Sequence, residues 1–160
     1  MSTEDPFNLT AAIVEQVADA IIFADLEGAI RIWNAGAEAI FGYGADEALG
    51  QSLDLIIPER LRPAHWAAFD KALETGRTKY GRQAMTTRSA KKDGSKLYVE
   101  LSFALVKDQD SRVLGSVAMA RDITSRYTAD SELRKRLAEL EQPLKASSTT
   151  PDRETPDRKT

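Results

Sequence analysis

The sequence predicts an α+β domain built on an antiparallel sheet of five strands, and three observations carry that prediction. Two strand-like runs come first, a series of short glycine-punctuated helices follows, and three more strand-like runs close the domain. Strands grouped on either side of helices, rather than alternating with them, pair antiparallel. The second observation is turn chemistry: Asp25-Leu26-Glu27-Gly28, Lys92-Asp93-Gly94-Ser95 and Asp108-Gln109-Asp110-Ser111 separate neighbouring runs with the polar and glycine residues that tight hairpins use. The third is the run from Lys96 to Val106, where Leu97, Val99, Leu101 and Phe103 alternate with Tyr98, Glu100 and Ser102. That two-residue period gives a strand one buried face.

The elements follow in order. Leu9, Ile13, Val14 and Val17 recur at helical spacing behind a capping Asn8 or Thr10, which predicts a short helix from Phe7 to Val17. Ala20–Ala24 and Ala29–Trp33 are the first hairpin. Asn34 caps a short helix carrying Ala37, Ile40 and Phe41 and ended by Gly42, and Asp46 opens another that stops at Gly50. Pro58 suits the first position of a long helix running to Thr75, with Leu61, His65 and Phe69 on its inward stripe and Ala68, Ala72 and Leu73 alongside. Strands are then expected from Arg77 to Ala90, Lys96 to Val106 and Val113 to Arg121.

Beyond Asp122-Ile123-Thr124 a helix is expected to about Gln142, with Leu133, Leu137, Leu140 and Leu144 at four-three-four spacing and Pro143 as its stop. Packing back on its own domain and coiled-coil pairing both explain that stripe. Residues 145–160 are Ser, Thr, Pro and charge, with Thr-Pro-Asp-Arg written twice, and read as a disordered tail. The expected organisation is an N-terminal helical cap over 1–18, a domain over 19–124, a signalling or coiled-coil helix over 125–144 and the tail.

Bulk properties exclude several functions. A chain of 160 residues has room for one ordinary domain with extensions. A net charge of −3 offers no basic footprint for nucleic acid. Without cysteine there is no disulfide, no thiolate metal site and no flavin–cysteinyl adduct. The acidic start, Met1-Ser2-Thr3-Glu4-Asp5-Pro6, precedes no apolar run approaching the ~18 residues of a membrane span, so a cytoplasmic protein is expected.

Several stretches together resemble the PAS (S-box) family: Ile32-Trp33-Asn34-Ala35-Gly36-Ala37-Glu38 leading to Phe41-Gly42-Tyr43, then Glu47-Ala48-Leu49-Gly50, the Lys92-Asp93-Gly94 hairpin and Ala120-Arg121-Asp122-Ile123-Thr124. The resemblance spans about residues 20 to 124. It implies a five-stranded sheet with short helices and one long helix on one face, flanking helices that carry a signal, and the role of a ligand, cofactor or redox sensor. Within the family, Ile57-Pro58-Glu59-Arg60-Leu61-Arg62-Pro63-Ala64-His65, followed by Thr75-Gly76 and the Asp-Gly hairpin, resembles the haem-binding branch of FixL-type oxygen sensors and the bacterial direct oxygen sensor phosphodiesterase. There a histidine of the long helix is the proximal iron ligand, which implies that role for His65.

The distal side departs from that branch. Matched without gaps from His65, the family's oxygen-binding arginine falls on Met85 and its alternative methionine ligand on Gln83. The expectation divides between Met85 as a soft thioether ligand displaced by carbon monoxide, nitric oxide or oxygen, Met85 as plain core packing, and Gln83 or Arg82 turned inward as a donor to oxygen. Arg77, Lys79 or Lys71 are candidate partners of haem propionates. Expected walls are Phe23, Ile32, Leu53, Ile56, Ile57, Phe69, Leu101, Phe103, Val117 and Met119, and all suit an ordinary core equally. Trp66 is expected at the pocket rim or a subunit contact. For His65 the competing reading is a core histidine bonded to a nearby carbonyl.

Two functions compete on these residues. One is a haem b sensor of a diatomic gas or of redox state, dimerising through its flanking helices. The other is a cofactor-free PAS module that dimerises or binds a partner. A flavin or small-acid ligand is weaker, since no residue set specifies one. An enzyme is not expected, because the lone histidine has no nucleophile pattern near it and no glycine-rich phosphate loop occurs. With no output module in the sequence, a signal passes to a separate output protein or the chain is the sensor region of a longer one.

Overall fold

Hairpin turns fix the first half of the sheet. A computed structural model describes residues 8–147. In it, strand β1 (Ala20–Asp25) turns into β2 (Ile30–Trp33) as the Asp25 carboxylate accepts the backbone N–H of Glu27 and of Ala29, at 3.1 and 2.9 Å. After four short helical pieces and the long helix α4 (Arg62–Thr75), strands β3 (Met85–Ser89), β4 (Leu97–Lys107) and β5 (Val113–Asp122) complete a five-stranded sheet in the order β2-β1-β5-β4-β3. Neighbouring strands all pair antiparallel. The predicted fold class is the observed one.

The helical pieces follow their caps. Helix α1 (Leu9–Gln16) starts where Asn8 accepts the N–H of Ala11. Helix α2 (Ala35–Phe41) is capped by Asn34 and closed by Gly42 in the left-handed region. Helix α3 (Ala45–Ala48) begins one residue before the Asp46 expected to open it, because the Glu47 carboxylate reaches back to the Gly44 N–H at 2.8 Å. Two 3₁₀ turns follow, Leu53–Leu55 and Glu59–Leu61, so the residues after Pro58 wind as a 3₁₀ turn before α4 rather than as its first turn.

Asn34 ties the early elements together. Its side chain is fully buried and makes four hydrogen bonds. The amide oxygen accepts from Ile21 and Ala37 N–H at 2.8 and 2.9 Å, and the amide nitrogen donates to the carbonyls of Val14 and Asp19 at 2.8 and 3.1 Å. Every donor and acceptor of one carboxamide is therefore used, joining α1, β1 and α2. Gly36 makes this junction possible, since a Cβ there would lie 2.3 Å from the Asp19 carbonyl oxygen.

Register decides which side chains meet the helices. Ala20, Ile22 and Ala24 of β1 share a face with Trp33, Ala120, Ala118, Leu101 and Phe103, and this face holds the core with Phe41, Leu97, Val99 and Phe69. Phe23 pairs with Ile32 and Val117, and Met119 with Ile21, all on the opposite face. They were expected to wall the pocket; the two-residue period of the strands puts them outside it, with Ile32 42% and Met119 47% exposed.

Two other expectations change. Residues 77–84 are turns rather than strand, because Gly81 adopts φ +57° and its N–H closes back on the Thr78 carbonyl. The chain divides after Thr124. Helix α5 (Thr124–Ser147) passes through Pro143 instead of ending at Gln142. Proline's fixed φ is itself helical, and its cost of about 3 kcal/mol is local. Residues 145–147 of the expected disordered tail belong to this helix, and the rest of that tail, 148–160, lies outside the described residues, as do 1–7. Leu133, Leu137 and Leu140 of α5 are exposed. Among the described residues no helix is long and apolar enough to cross a membrane.

Candidate functional site around His65

Helix α4 is anchored at both ends. At its start the Arg62 guanidinium donates to the carbonyls of Ile57 and Asp54, at 3.1 and 3.2 Å, and the Trp66 indole N–H donates to the Asp54 carboxylate at 2.8 Å. At its end Gly76 takes the left-handed conformation and its carbonyl faces the Lys107 ammonium at 3.4 Å. The six-membered ring of the Trp66 indole also packs against the β1–β2 turn: a Cβ on Gly28 would run into its Cη2 and Cζ3. Gly28 has φ +79°, which suits glycine on backbone grounds as well. The sequence placed Trp66 at a rim or subunit contact; the structure gives it this turn and Asp54 as partners.

His65 sits between these anchors. Its ring meets Trp66 edge-on, with centroids 4.9 Å apart, and lies 6.1 Å from the ring of Phe69, the one buried side chain of α4. The Nδ1 atom of His65 is buried and has no hydrogen-bond partner. The carbonyl partner of an ordinary core histidine is thus missing at this nitrogen. Burial pushes the imidazole's pKa below its usual value, and the charge of Asp54 only partly opposes this. The ring is therefore neutral at neutral pH and keeps a lone pair, the form in which imidazole ligates metals. An unpartnered buried polar atom costs about 1–3 kcal/mol.

The sheet face beside α4 is unevenly covered. Leu97, Val99 and Ala120 are buried, whereas Leu101, Phe103, Leu105, Ser116 and Ala118 on the same face are only half-buried. Met85 opens β3 opposite Leu101 and shares this strip. Ile57 and Leu101 pack against the core cluster that Phe69 joins. The structure thus gathers His65, Trp66 and Phe69 on one element, and Met85, Leu101 and Phe103 on one sheet face. It leaves Lys79, Arg82 and Gln83 exposed on the 76–84 loop, with the Lys79 ammonium 5.2 Å from the Tyr80 ring centroid. Met119 is excluded by its face.

These residues fit an axially ligated porphyrin better than a bare ion. Among the described residues no group of three or more His, Cys, Asp or Glu side chains comes together. A haem iron is held by its macrocycle and asks the protein for one or two axial ligands and an apolar surround. A neutral imidazole with an unsatisfied buried nitrogen, flanked by the rings of Trp66 and Phe69, is a donor of the kind such a group asks for.

Sequence reasoning missed the Asp54–Trp66–Gly28 contact. Gly28 was assigned to the turn alone, and nothing in the spacing between residues 28 and 66 announces their approach.

Comparison with known proteins agrees with the fold. The profile of the PAS fold matches residues 8–123. The oxygen sensor protein DosP of Escherichia coli K12 is 32% identical over 120 residues, which cover 68% of this chain and 15% of that protein. The sensor protein FixL of Bradyrhizobium diazoefficiens is 23% identical over 129 residues, covering 81% of this chain and 25% of FixL. The chain therefore spans a quarter or less of these two relatives. The crystal structure of a PAS domain from Colwellia psychrerythraea superposes with a TM-score of 0.64 at 27% identity, covering 72% of this chain and 95% of that one.

Proposed function

Because this chain belongs to the PAS family, we propose that it is a cytoplasmic haem-based sensor domain in which His65 would hold the haem iron and a diatomic gas or the redox state is the signal. The observation that carries the reading is the buried Nδ1 of a neutral His65 with no partner in the folded chain. Similarity to an oxygen sensor protein supports it.

The chain's own residues divide the work. His65 supplies the lone pair, held by the anchored first turn of α4. Phe69, Ile57, Leu101 and Phe103 keep water from the ring and present an apolar surface. Met85, on the same sheet face, would be a second residue to hold the group, and Gln83 and Arg82 on the adjoining loop would be the alternative polar contacts. Arg77 and Lys79 balance propionate charge at the exposed loop. When bound, haem b supplies reversible binding of a small gas and a one-electron couple.

Transmission runs along β4. The Tyr98 N–H donates to the Thr124 Oγ1 at 3.0 Å, the Ile123 N–H donates to the Tyr98 carbonyl at 2.9 Å, and Asp122 accepts from the Thr124 N–H at 2.9 Å. A shift of Leu101 or Phe103 therefore reaches the first residue of α5 through its own strand. The output is a partner protein or a second copy contacted through the flanking helices. The chain catalyses no reaction of its own.

The test is direct. Protein purified from haem-supplied cells should be red, with a Soret band that shifts on adding carbon monoxide to the reduced sample and collapses in His65→Ala. A colourless product that takes up no added haem contradicts the proposal. It would favour the cofactor-free interaction module, to which the exposed Ile32 and Met119 of the outer sheet face then belong.

A further inference from the structure

A second candidate site lies away from His65. An open cleft of about 570 Å³ separates the 3₁₀ turn at Glu59–Leu61 from the end of β3 and the β3–β4 hairpin. Three cations line it, Arg60, Arg88 and Lys91, against one carboxylate, Glu59. Among the described residues none of the three cations is in an ion pair, whereas Arg31, Arg62, Lys92, Arg112 and Arg121 all are. The hydroxyls in the cleft are already committed. Ser89 Oγ donates to the Ile56 carbonyl at 2.7 Å and Ser95 Oγ to the Asp93 carboxylate at 2.6 Å.

Like charges gathered from separate segments around a concave wall repel one another and focus a positive potential. Here they do so in a chain whose net charge is −3. Arg60 comes from the turn before α4 and Arg88 from the edge strand, so the basic residues that line the cleft come from two separate segments. Paired forks match oxyanions with charge-assisted, bidentate bonds. Three cations against Glu59 and the Asp93 carboxylate that feels Lys91 leave one net positive charge, which a phosphate oxyanion balances through the bidentate bonds a guanidinium offers. The volume lies in the range of small-molecule sites, about 300–1,000 Å³. We infer that this cleft binds a phosphate group, free or carried on a small organic molecule.

The full chain is titrated with inorganic phosphate and, in parallel, with phenyl phosphate at constant ionic strength, following backbone amide resonances. Saturable shifts are expected at Glu59, Arg60 and Lys91 through Ser95. Tighter binding of phenyl phosphate identifies an ester as the ligand, and equal binding identifies the free ion. Arg60→Gln with Arg88→Gln should weaken binding at least about tenfold, the loss expected for two charge-assisted contacts. Arg112→Gln, in the β4–β5 turn, should leave it unchanged. Shifts that rise linearly without saturating, or that saturate equally in the folded double variant, overturn the inference.

Discussion

The two halves of one sheet face are built to opposite standards. Around Ala20, Ile22, Leu97, Val99 and Ala120 the helices cover the sheet completely, and the one fully buried amide there, Asn34, has all four of its hydrogen bonds. Around Leu101, Phe103, Leu105, Ser116 and Ala118 the cover is partial, and on helix α4 the ring of His65 keeps a buried nitrogen without a partner. A chain able to satisfy one buried polar side chain completely has left another unsatisfied. Exceptions of that kind mark where a sequence serves something other than its own folding.

The sharpest test of the contrast is a pair of substitutions. Asn34→Ala strands two donors and two acceptors from three elements and should cost about 3–4 kcal/mol. His65→Leu, in haem-free protein, removes a polar atom that nothing satisfies and should be neutral or stabilising by up to about 1 kcal/mol. Urea denaturation of both variants measures this. Equal losses would erase the distinction between the halves.

Gly28→Ala comes next. It forces a left-handed φ on alanine and pushes the Trp66 ring off the turn, for a cost of about 2 kcal/mol. A red-shifted tryptophan emission should accompany the loss, since the indole gives up its seat against the turn and its bond to Asp54.

A smaller effect follows from protonation. The folded pKa of His65 lies below its unfolded value near 6.5, so the unfolded state binds more protons between the two. Stability is full above that unfolded value and falls as pH drops through the window below it. The melting temperature of the haem-free chain should decline across this range, and the decline should flatten in His65→Leu. The smallest effect is expected on the outer face. Met119→Ser should leave haem affinity unchanged, whereas Leu101→Ala, on the strip beside α4, should weaken it by about 2 kcal/mol or more, the cost of deleting a packed leucine side chain. Haem titration of the two variants checks the assignment of faces.

The sheet was legible in the sequence because its signals are local. Asp-Gly turns, the alternation from Leu97 to Phe103 and the Asn34 and Gly42 caps each act within a few residues. His65 was legible as a candidate because it is the chain's one histidine and lies on an apolar stripe. The rest depended on pairing. Whether Met119 or Leu101 faces α4 is set by cross-strand register, and a reading that pooled apolar residues from both faces put Phe23, Ile32, Val117 and Met119 on the wrong side. The strand predicted from Arg77 starts only at Met85, because the polar residues before it carry no two-residue period and the left-handed Gly81 turns the chain there. Asp54 has no sequence signature, because a single carboxylate in a 3₁₀ turn looks like any solvated acid.

The central claim is that the imidazole of His65, and not merely the apolar side chains around it, holds the iron. His65→Gly removes that ring and leaves its space. Reduced protein of this variant, loaded with haem in the presence of free imidazole, should regain the wild-type absorption spectrum and carbon monoxide difference spectrum, and lose both when the imidazole is dialysed away. A variant that binds haem with the wild-type spectrum in the absence of imidazole would contradict the claim.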